Sequence, residues 1–265
     1  ASCHKPEFAF ADTSAFSLGI KGQRTKRNTP SVLNMLNRLS FFWDGRAKTL
    51  EQQALMPIAN KEEMGLPIPE AVKRLNQHPE YKKLFRQVFK QAPNAANLAA
   101  ALAAYERTLE TVESKFDDWS NDDTANWTAS EERGRLLFLG DKAKCFDCHF
   151  MEDFTGDEFR NIGLYTGAPG EDAGRFSISR NKKEAGAFKT PGLRNVAVTA
   201  PYMHDGRFKT LEEVVAYYND PRKVVPHAVN TDPLLQKPLG LTAQEMTDLV
   251  AFLKTLTDRE FLKPR

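Results

Sequence analysis

Three residues of one pentapeptide have types and a spacing that point to a specific chemistry: Cys145, Cys148 and His149 in CFDCH. The C-x-x-C-H pattern is the covalent attachment signature of a c-type haem. Two thiols at this spacing reach the two vinyl groups of one porphyrin, and the adjacent histidine is an axial ligand of the iron. A redox cysteine pair or half of a zinc site is less consistent, because a helix precedes the motif and no second Cys or His pair lies nearby. The motif predicts one haem c.

The third cysteine, Cys3, stands beside His4 in the N-terminal sequence ASCH. ASCH is what remains of C-x-x-C-H when its first cysteine falls immediately before Ala1. This interpretation also accounts for the odd number of cysteines. It predicts a second haem c with His4 as axial ligand, and a site that carries no haem is the alternative.

A gap-free internal repeat supports the second haem. At an offset of 161 residues, segments 28–53 and 189–214 share ten identities, among them the tripeptide Asp-Gly-Arg and the tetrapeptide Lys-Thr-Leu-Glu. Each copy follows a Cys-His pair. The chain is therefore interpreted as a duplication with one haem site in each half.

The two copies differ at the position expected to face the sixth coordination site of the iron. Tyr218 in the second copy aligns with Pro57 in the first. Tyrosine can ligate haem iron and proline cannot, so we expect one six-coordinate haem and one haem with an open position. Packing of Tyr218 within VVAYY is an alternative, and Met203, which aligns with Phe42, is a rival ligand.

Near Pro57 the first copy carries Gln53 and Glu63, a pair that the second copy lacks. Peroxide cleavage needs a carboxylate that moves a proton from one peroxide oxygen to the other, and an amide can steady the bound oxygen. The two residues are therefore catalytic candidates, with surface positions as the alternative. Trp43, which replaces His204 of the second copy, is either a core residue or lies between the haems.

The elements that must position these residues are helical. Apolar residues recur at helical spacing in segments 68–91 and 94–114. Another helix begins near Thr128 or Ser130, and the last begins at Thr242, where TAQE forms a capping box. We predict an all-α fold of two haem domains with long irregular loops, joined by the acidic segment FDDWSNDDTANW. The predicted domains are residues 1–128 and 129–265.

The composition excludes several other classes of protein. Hydrophobic residues make up 41% of the chain and charged residues 27%, as in a globular protein. The net charge of +2 gives no reason to expect nucleic acid binding. The most apolar stretch, NLAAALAAY, is much shorter than the roughly 20 residues that cross a bilayer, so we expect no membrane span.

Together these motifs resemble the bacterial di-haem cytochrome c peroxidases and their relative MauG. The resemblance covers nearly the whole chain and rests on ASCH, CFDCH, FFWDGRAKTLEQQALMPIANKEEMG and FKTPGLRNVAVTAPYMHDGRFKTLEEVV. It implies two cytochrome-c-like domains, an N-terminal haem that reacts with peroxide, a C-terminal haem that relays electrons, and a calcium ion between the domains. The implied cofactors are two covalently bound haem c groups and one calcium ion.

The resemblance also implies roles for single residues. Gln53 and Glu63 look like the distal-pocket pair of the N-terminal haem, and Trp43 looks like the tryptophan between the haems. Calcium prefers oxygen ligands, and the resemblance implies two backbone carbonyls and one side-chain oxygen as donors. These donors belong to Thr199, Pro201 and Asn28.

Two positions depart from the typical peroxidase pattern. Typical members have a histidine that caps the N-terminal haem, but FSLGIKGQRTKRN contains none, and the closest position is Ile20. Tyr218 stands where typical members have methionine, and tyrosine there is the MauG-like arrangement. Both departures predict a peroxide site that is open in the oxidised protein.

We therefore expect an enzyme that reduces hydrogen peroxide with electrons from a small donor protein, a cytochrome c or a cupredoxin. The MauG-like alternative uses peroxide to oxidise residues of a partner protein. A non-catalytic electron-transfer cytochrome is the third hypothesis and predicts two six-coordinate irons. A periplasmic location is expected because c-type haems are attached outside the cytoplasm, and a homodimer is left open.

Overall fold

The computed structural model describes residues 2–150 and 152–262, which form short helices joined by long loops. The helices are α1 (Leu50–Ala59), α2 (Ile68–Gln77), α3 (Pro79–Phe89), α4 (Ala95–Glu106), α5 (Lys115–Ser120), α6 (Ala129–Leu139), α7 (Phe176–Ser179), α8 (Leu211–Asn219) and α9 (Ala243–Thr255). Strands β1 (Phe159–Arg160) and β2 (Phe188–Lys189) pair antiparallel. No other sheet occurs in the described residues, so the predicted all-α class is confirmed. Within the same residues, no helix has the length and apolar character that crossing a membrane requires.

Two helices of the C-terminal half have caps at predicted positions: α9 at Thr242, and α6 at Thr128, the first of the two positions that the sequence left open. The Thr128 side chain accepts a hydrogen bond from the backbone amide of Glu131 at the start of α6. Thr242 does the same with Glu245 at the start of α9, and both pairs form complete capping boxes. These caps satisfy amide groups that have no partner inside the helix, which is why the start points can be predicted from local sequence.

The internal repeat is visible in the backbone. In each copy a two-residue bridge closes a loop ahead of a helix: Phe41 with Ala47, and Tyr202 with Phe208. Thr49 then caps α1, and Thr210 caps α8. Equivalent residues therefore adopt equivalent local structure in the two halves, as the duplication predicts.

The glycine of each Asp-Gly-Arg tripeptide packs against the opposite half of the chain. Gly45 has φ +64° and Gly206 has φ +65°, a conformation that favours glycine. A Cβ atom on Gly45 would lie 2.3 Å from Cζ of Phe159, and one on Gly206 would lie 2.6 Å from Cα of Ala15. The repeated motif thus lies at the contact between the halves, where both copies need the small residue.

We expect Gly206→Ala to lower the free energy of unfolding by about 1–3 kcal/mol, because the substitution adds backbone strain and a clash with Ala15. Gly240 has φ +68°, but a Cβ atom there would meet no described atom within 4 Å. The loss of stability in Gly240→Ala therefore measures backbone strain without a clash. Urea unfolding followed by circular dichroism measures both variants. Equal destabilisation of the two would show that the contact with Ala15 does not matter.

The larger of the two cores lies in the C-terminal half, where α6 and α8 pack on α9. Its centre contains Phe138, Phe252 and Leu256, each 1% exposed. The N-terminal half has a smaller cluster built on Leu50 and Ala103, which joins α1 to α4. A large cavity, lined mostly by residues of that half, lies beside α1 and is suited to a prosthetic group.

The segment interpreted as a polar linker has more structure than its composition indicates. Ser114, just before the segment, forms a capping box with Asp117 and starts α5, which continues into the segment. Phe116 and Trp127 pack against the C-terminal core, so the aromatic residues of the segment attach it to that half. This helix was not predicted from the sequence, because long-range aromatic contacts stabilise a six-residue helix that would be marginal by itself.

Candidate haem and peroxide site

The CFDCH motif follows α6 and lines a cavity in the C-terminal half. Cys145, Cys148 and His149 all border this second cavity. Nδ1 of His149 donates a hydrogen bond of 2.9 Å to the carbonyl of Phe154, which leaves Nε2 with its lone pair. Burial lowers the pKa of His149 to about 4, so the imidazole is neutral, as an iron ligand must be. Burial also raises the pKa of Cys145 to about 12, unlike the low pKa of a redox cysteine.

The N-terminal Cys-His pair has the same arrangement in the first cavity. Cys3 and His4 border it, and Nδ1 of His4 donates to the carbonyl of Phe10 over 2.9 Å. Burial lowers the pKa of His4 as well. Each histidine is therefore held by a carbonyl that fixes its tautomer and leaves Nε2 as a metal ligand. The donor sets of both cavities fit haem c: a thiol and a neutral imidazole border the first, and two thiols and a neutral imidazole border the second.

The catalytic candidates converge on the first cavity. Gln53 and Pro57 lie on α1, Glu63 lies in the turn that follows this helix, and all three border the cavity together with His4. The side chain of Glu63 is oriented by Asn60, whose Nδ2 donates to Oε2 over 2.9 Å. A proton acceptor and an amide therefore share a cavity with the predicted iron ligand.

Ile20 borders the same cavity. It is the position closest to the capping histidine of typical di-haem peroxidases. Its backbone amide donates to the carbonyl of Glu63 over 2.7 Å, which joins its loop to the turn after α1. Gly19 makes the approach possible, because a Cβ there would lie 1.9 Å from the carbonyl oxygen of Glu62. The Ile20 side chain borders the cavity and has no atom that can ligate iron.

Tyr218 and Met203 both border the second cavity with His149. The neighbouring Tyr217 is 1% exposed and donates its hydroxyl to the carbonyl of Ile162 over 2.7 Å, so it has a structural role. Burial raises the pKa of Tyr218 far above its usual range, which keeps the free phenol protonated. The structure therefore excludes Tyr217 as a ligand, and it places both remaining candidates, Tyr218 and Met203, at the cavity.

Trp43 borders both cavities. Its indole Nε1 donates to the carbonyl of Asn28 over 2.8 Å, and its own carbonyl accepts from the amide of Lys189 on β2. These contacts hold the ring at the junction of the two halves. Trp43 thus lies between the two candidate haem cavities, and its position between the haems themselves stays a prediction.

The three residues predicted to bind calcium share one cavity. Asn28, Thr199 and Pro201 border the second cavity. Asn28 is 6% exposed and donates its side-chain amide to the carbonyls of Ser14 and Ala15, so Oδ1 is the atom available to a cation. The described residues contain no cluster of three acidic, His or Cys side chains that could hold a metal. A calcium ion here would depend on neutral oxygen donors.

Several contributors to these sites were not predicted from the sequence. The carbonyls of Phe10 and Phe154 orient the histidines, but a backbone carbonyl leaves no trace in residue type. The contact of Asn60 with Glu63 could have been predicted, because residues three apart in a turn lie close together. Glu106 at the end of α4 borders the first cavity, and burial raises its pKa to about 7.

Comparison with known proteins agrees with this geometry. Residues 1–125 match the family described as di-haem cytochrome c peroxidase, and residues 131–257 match cytochrome c. The chain is 39% identical to the methylamine utilization protein MauG of Methylorubrum extorquens, over 97% of this chain and 71% of that protein. It is 35% identical to cytochrome c551 peroxidase of Nitrosomonas europaea, over 97% of this chain and 73% of the relative.

A solved structure has the same fold. The crystal structure of a MauG-like protein associated with microbial copper homeostasis superimposes with a TM-score of 0.90 at 35% identity, covering 99% of this chain and 84% of that one. The predicted pair of cytochrome-c-like domains is thereby confirmed. The chain belongs to the family of di-haem cytochrome c peroxidases and MauG, and it is a peroxidase of that family.

Proposed function

We propose that the chain reduces hydrogen peroxide at an open N-terminal haem and receives the electrons through a closed C-terminal haem. The observation that carries this proposal is the convergence of Gln53, Pro57 and Glu63 on the cavity that holds His4. We further propose that the division into residues 1–128 and 129–265 separates the two sites.

Each cavity would hold one haem c, which supplies iron and redox equivalents for peroxide chemistry. His4 would bind in the first cavity, with Cys3 as a covalent attachment point. His149 would bind in the second, with Cys145 and Cys148 as attachment points. The neutral imidazoles and their fixed Nδ1 contacts support these assignments.

The side chains of the first cavity account for the proton movements. Glu63 would accept a proton from one peroxide oxygen and return it to the other, so that the departing oxygen leaves as water. The Gln53 amide would donate a hydrogen bond to the oxygen that stays. Asn60 positions the Glu63 carboxylate for this transfer.

Pro57 and Ile20 would keep the peroxide side of the first cavity without a protein ligand. Tyr218 would bind the haem iron of the second cavity through its phenol oxygen, and Trp43 would carry charge between the two sites. We also propose a structural calcium ion on Asn28, Thr199 and Pro201, which metal analysis of the purified protein would detect. The attachment chemistry of c-type haem supports a periplasmic location.

A second candidate function differs in the reductant. Ile20 and Tyr218 depart from the typical peroxidase pattern, and the relative from Methylorubrum extorquens, 39% identical to this chain, bears the name MauG. We therefore propose that residues of a partner protein can replace a small cytochrome c or cupredoxin as the source of electrons. Peroxide turnover with reduced cytochrome c distinguishes the two, because a protein-modifying enzyme would show little of it.

Fully oxidised protein is expected to react with one equivalent of hydrogen peroxide without prior reduction, because Pro57 and Ile20 provide no ligand to displace. Stopped-flow absorbance of the haem bands measures this reaction. A response that appears only after reduction of one haem would contradict an open resting site. No response in either state would reject the proposed function.

A further inference from the structure

A continuous series of aromatic rings leads from the second cavity towards the surface. Phe138, which is 1% exposed, borders that cavity. Its ring centroid lies 5.8 Å from that of Phe154, which lies 5.0 Å from that of Phe116 on α5. Phe154 is also the residue whose carbonyl holds His149. The rings therefore connect the ligand loop of the second haem site with α5.

The series ends in two partly exposed tryptophans. The ring of Phe116 stacks on Trp119 with centroids 5.7 Å apart and planes 27° apart. Trp119 in turn lies 5.6 Å from Trp127. Electron transfer weakens steeply with separation, so a series of touching rings is a favoured path between the cavity and these indoles.

Trp127 has a proton acceptor. Its Nε1 donates to Oε2 of Glu132 over 3.0 Å, and Arg135 holds that carboxylate in place with contacts of 2.7 and 2.9 Å. Trp43, in contrast, donates to a neutral carbonyl. Loss of an electron makes an indole N–H strongly acidic, so a carboxylate partner eases the oxidation of Trp127.

We propose that Trp127, connected through Trp119, is a redox-active surface site at which electrons from a partner protein enter the chain. This inference rests on the proposed function, which supplies the oxidant. Trp127 gives one electron to the oxidised second haem site while its indole proton moves to Glu132. The partner then returns one electron to Trp127, and the proton moves back.

The charge around the site indicates the chemistry of the partner. Residues 113–132 contain seven acidic residues, four of which form ion pairs: Asp117 with Arg194, Asp118 with Arg259, Glu131 with Lys115 and Glu132 with Arg135. The negative charge offered to a partner therefore comes from the other three acidic residues. Asp122 and Asp123, between the two tryptophans in sequence, are both exposed. A basic redox protein fits this surface, because opposite charges steer two proteins together.

The first experiment needs no donor. Oxidised holoprotein is mixed with one equivalent of peroxide, freeze-quenched for electron paramagnetic resonance, and digested for peptide mass spectrometry. We expect a tryptophan radical and oxygen adducts on Trp127, both lost in Trp127→Phe. Glu132→Gln should slow radical formation about a hundredfold, because proton transfer contributes on that scale.

Glu131→Gln is the matched control. Glu131 pairs with Lys115 and takes part in the capping box, which glutamine also supports, and it does not accept the indole proton. If the haem bands respond to peroxide, an equal effect of the two Glu→Gln variants, or adducts confined to Trp43, would overturn the inference and leave the proposed function standing. If the haem bands do not respond, both the proposed function and this inference would be overturned.

The second experiment tests the partner. Holoprotein is assayed with peroxide and reduced mitochondrial-type cytochrome c, a basic one-electron donor. We expect turnover that weakens with added salt and a lower kcat in Trp127→Phe. Absence of turnover, or turnover that neither salt nor the variant changes, would overturn the assignment of a basic partner to this surface.

Discussion

Glu63→Gln is expected to slow the reaction with hydrogen peroxide by about two to four orders of magnitude, which corresponds to a barrier higher by about 3–5 kcal/mol. Glutamine keeps the shape of the side chain but cannot accept the peroxide proton at neutral pH. Asn60 can still hold the substituted side chain through an amide contact, so the position of residue 63 should change little. Stopped-flow absorbance after mixing with peroxide measures the rate.

The neighbouring carboxylate provides the control for this variant. Glu62 also borders the first cavity, but it pairs with Lys26 over 3.0 Å. Glu62→Gln should leave the rate within about threefold of the wild type, since it removes no proton acceptor from the reaction. An unchanged rate in Glu63→Gln, or a similar loss in Glu62→Gln, would reject Glu63 as the acid–base residue.

Tyr218→Phe is expected to remove the whole low-spin ferric signal of the second haem. In the wild type we expect one high-spin signal from the open haem and one low-spin signal from the closed haem. Phenylalanine preserves the ring but has no oxygen to ligate iron, so the second haem should become high-spin. Electron paramagnetic resonance of the fully oxidised protein measures this change.

Two further variants decide between the candidate ligands. Tyr217→Phe removes the hydroxyl that donates to Ile162, which should cost about 1–3 kcal/mol of stability but leave both signals in place. Met203→Leu should also leave the low-spin signal unchanged. If that signal persists in Tyr218→Phe and disappears in Met203→Leu, methionine is the ligand and the MauG-like assignment fails. Two low-spin signals in the wild type would indicate an electron carrier or a peroxidase that needs reduction first.

Local sequence was sufficient for the attachment motif, the duplication and two helix starts. CFDCH depends on covalent spacing, and the caps at Thr128 and Thr242 depend on hydrogen bonds within four residues. The two halves repeat because equivalent residues form the same short-range contacts, such as the bridge of Phe41 with Ala47. Features of this kind are determined by neighbours in the chain and can therefore be predicted from it.

The tertiary structure decided which distant groups meet. It placed Trp43 against both cavities, oriented His4 and His149 through backbone carbonyls, and brought both Tyr218 and Met203 to one cavity. It also built α5 from a segment whose composition indicates only a polar linker, because Phe116 finds aromatic partners far away in sequence. Burial and contacts between distant residues have no periodic signature in the chain, so the folded structure alone shows them.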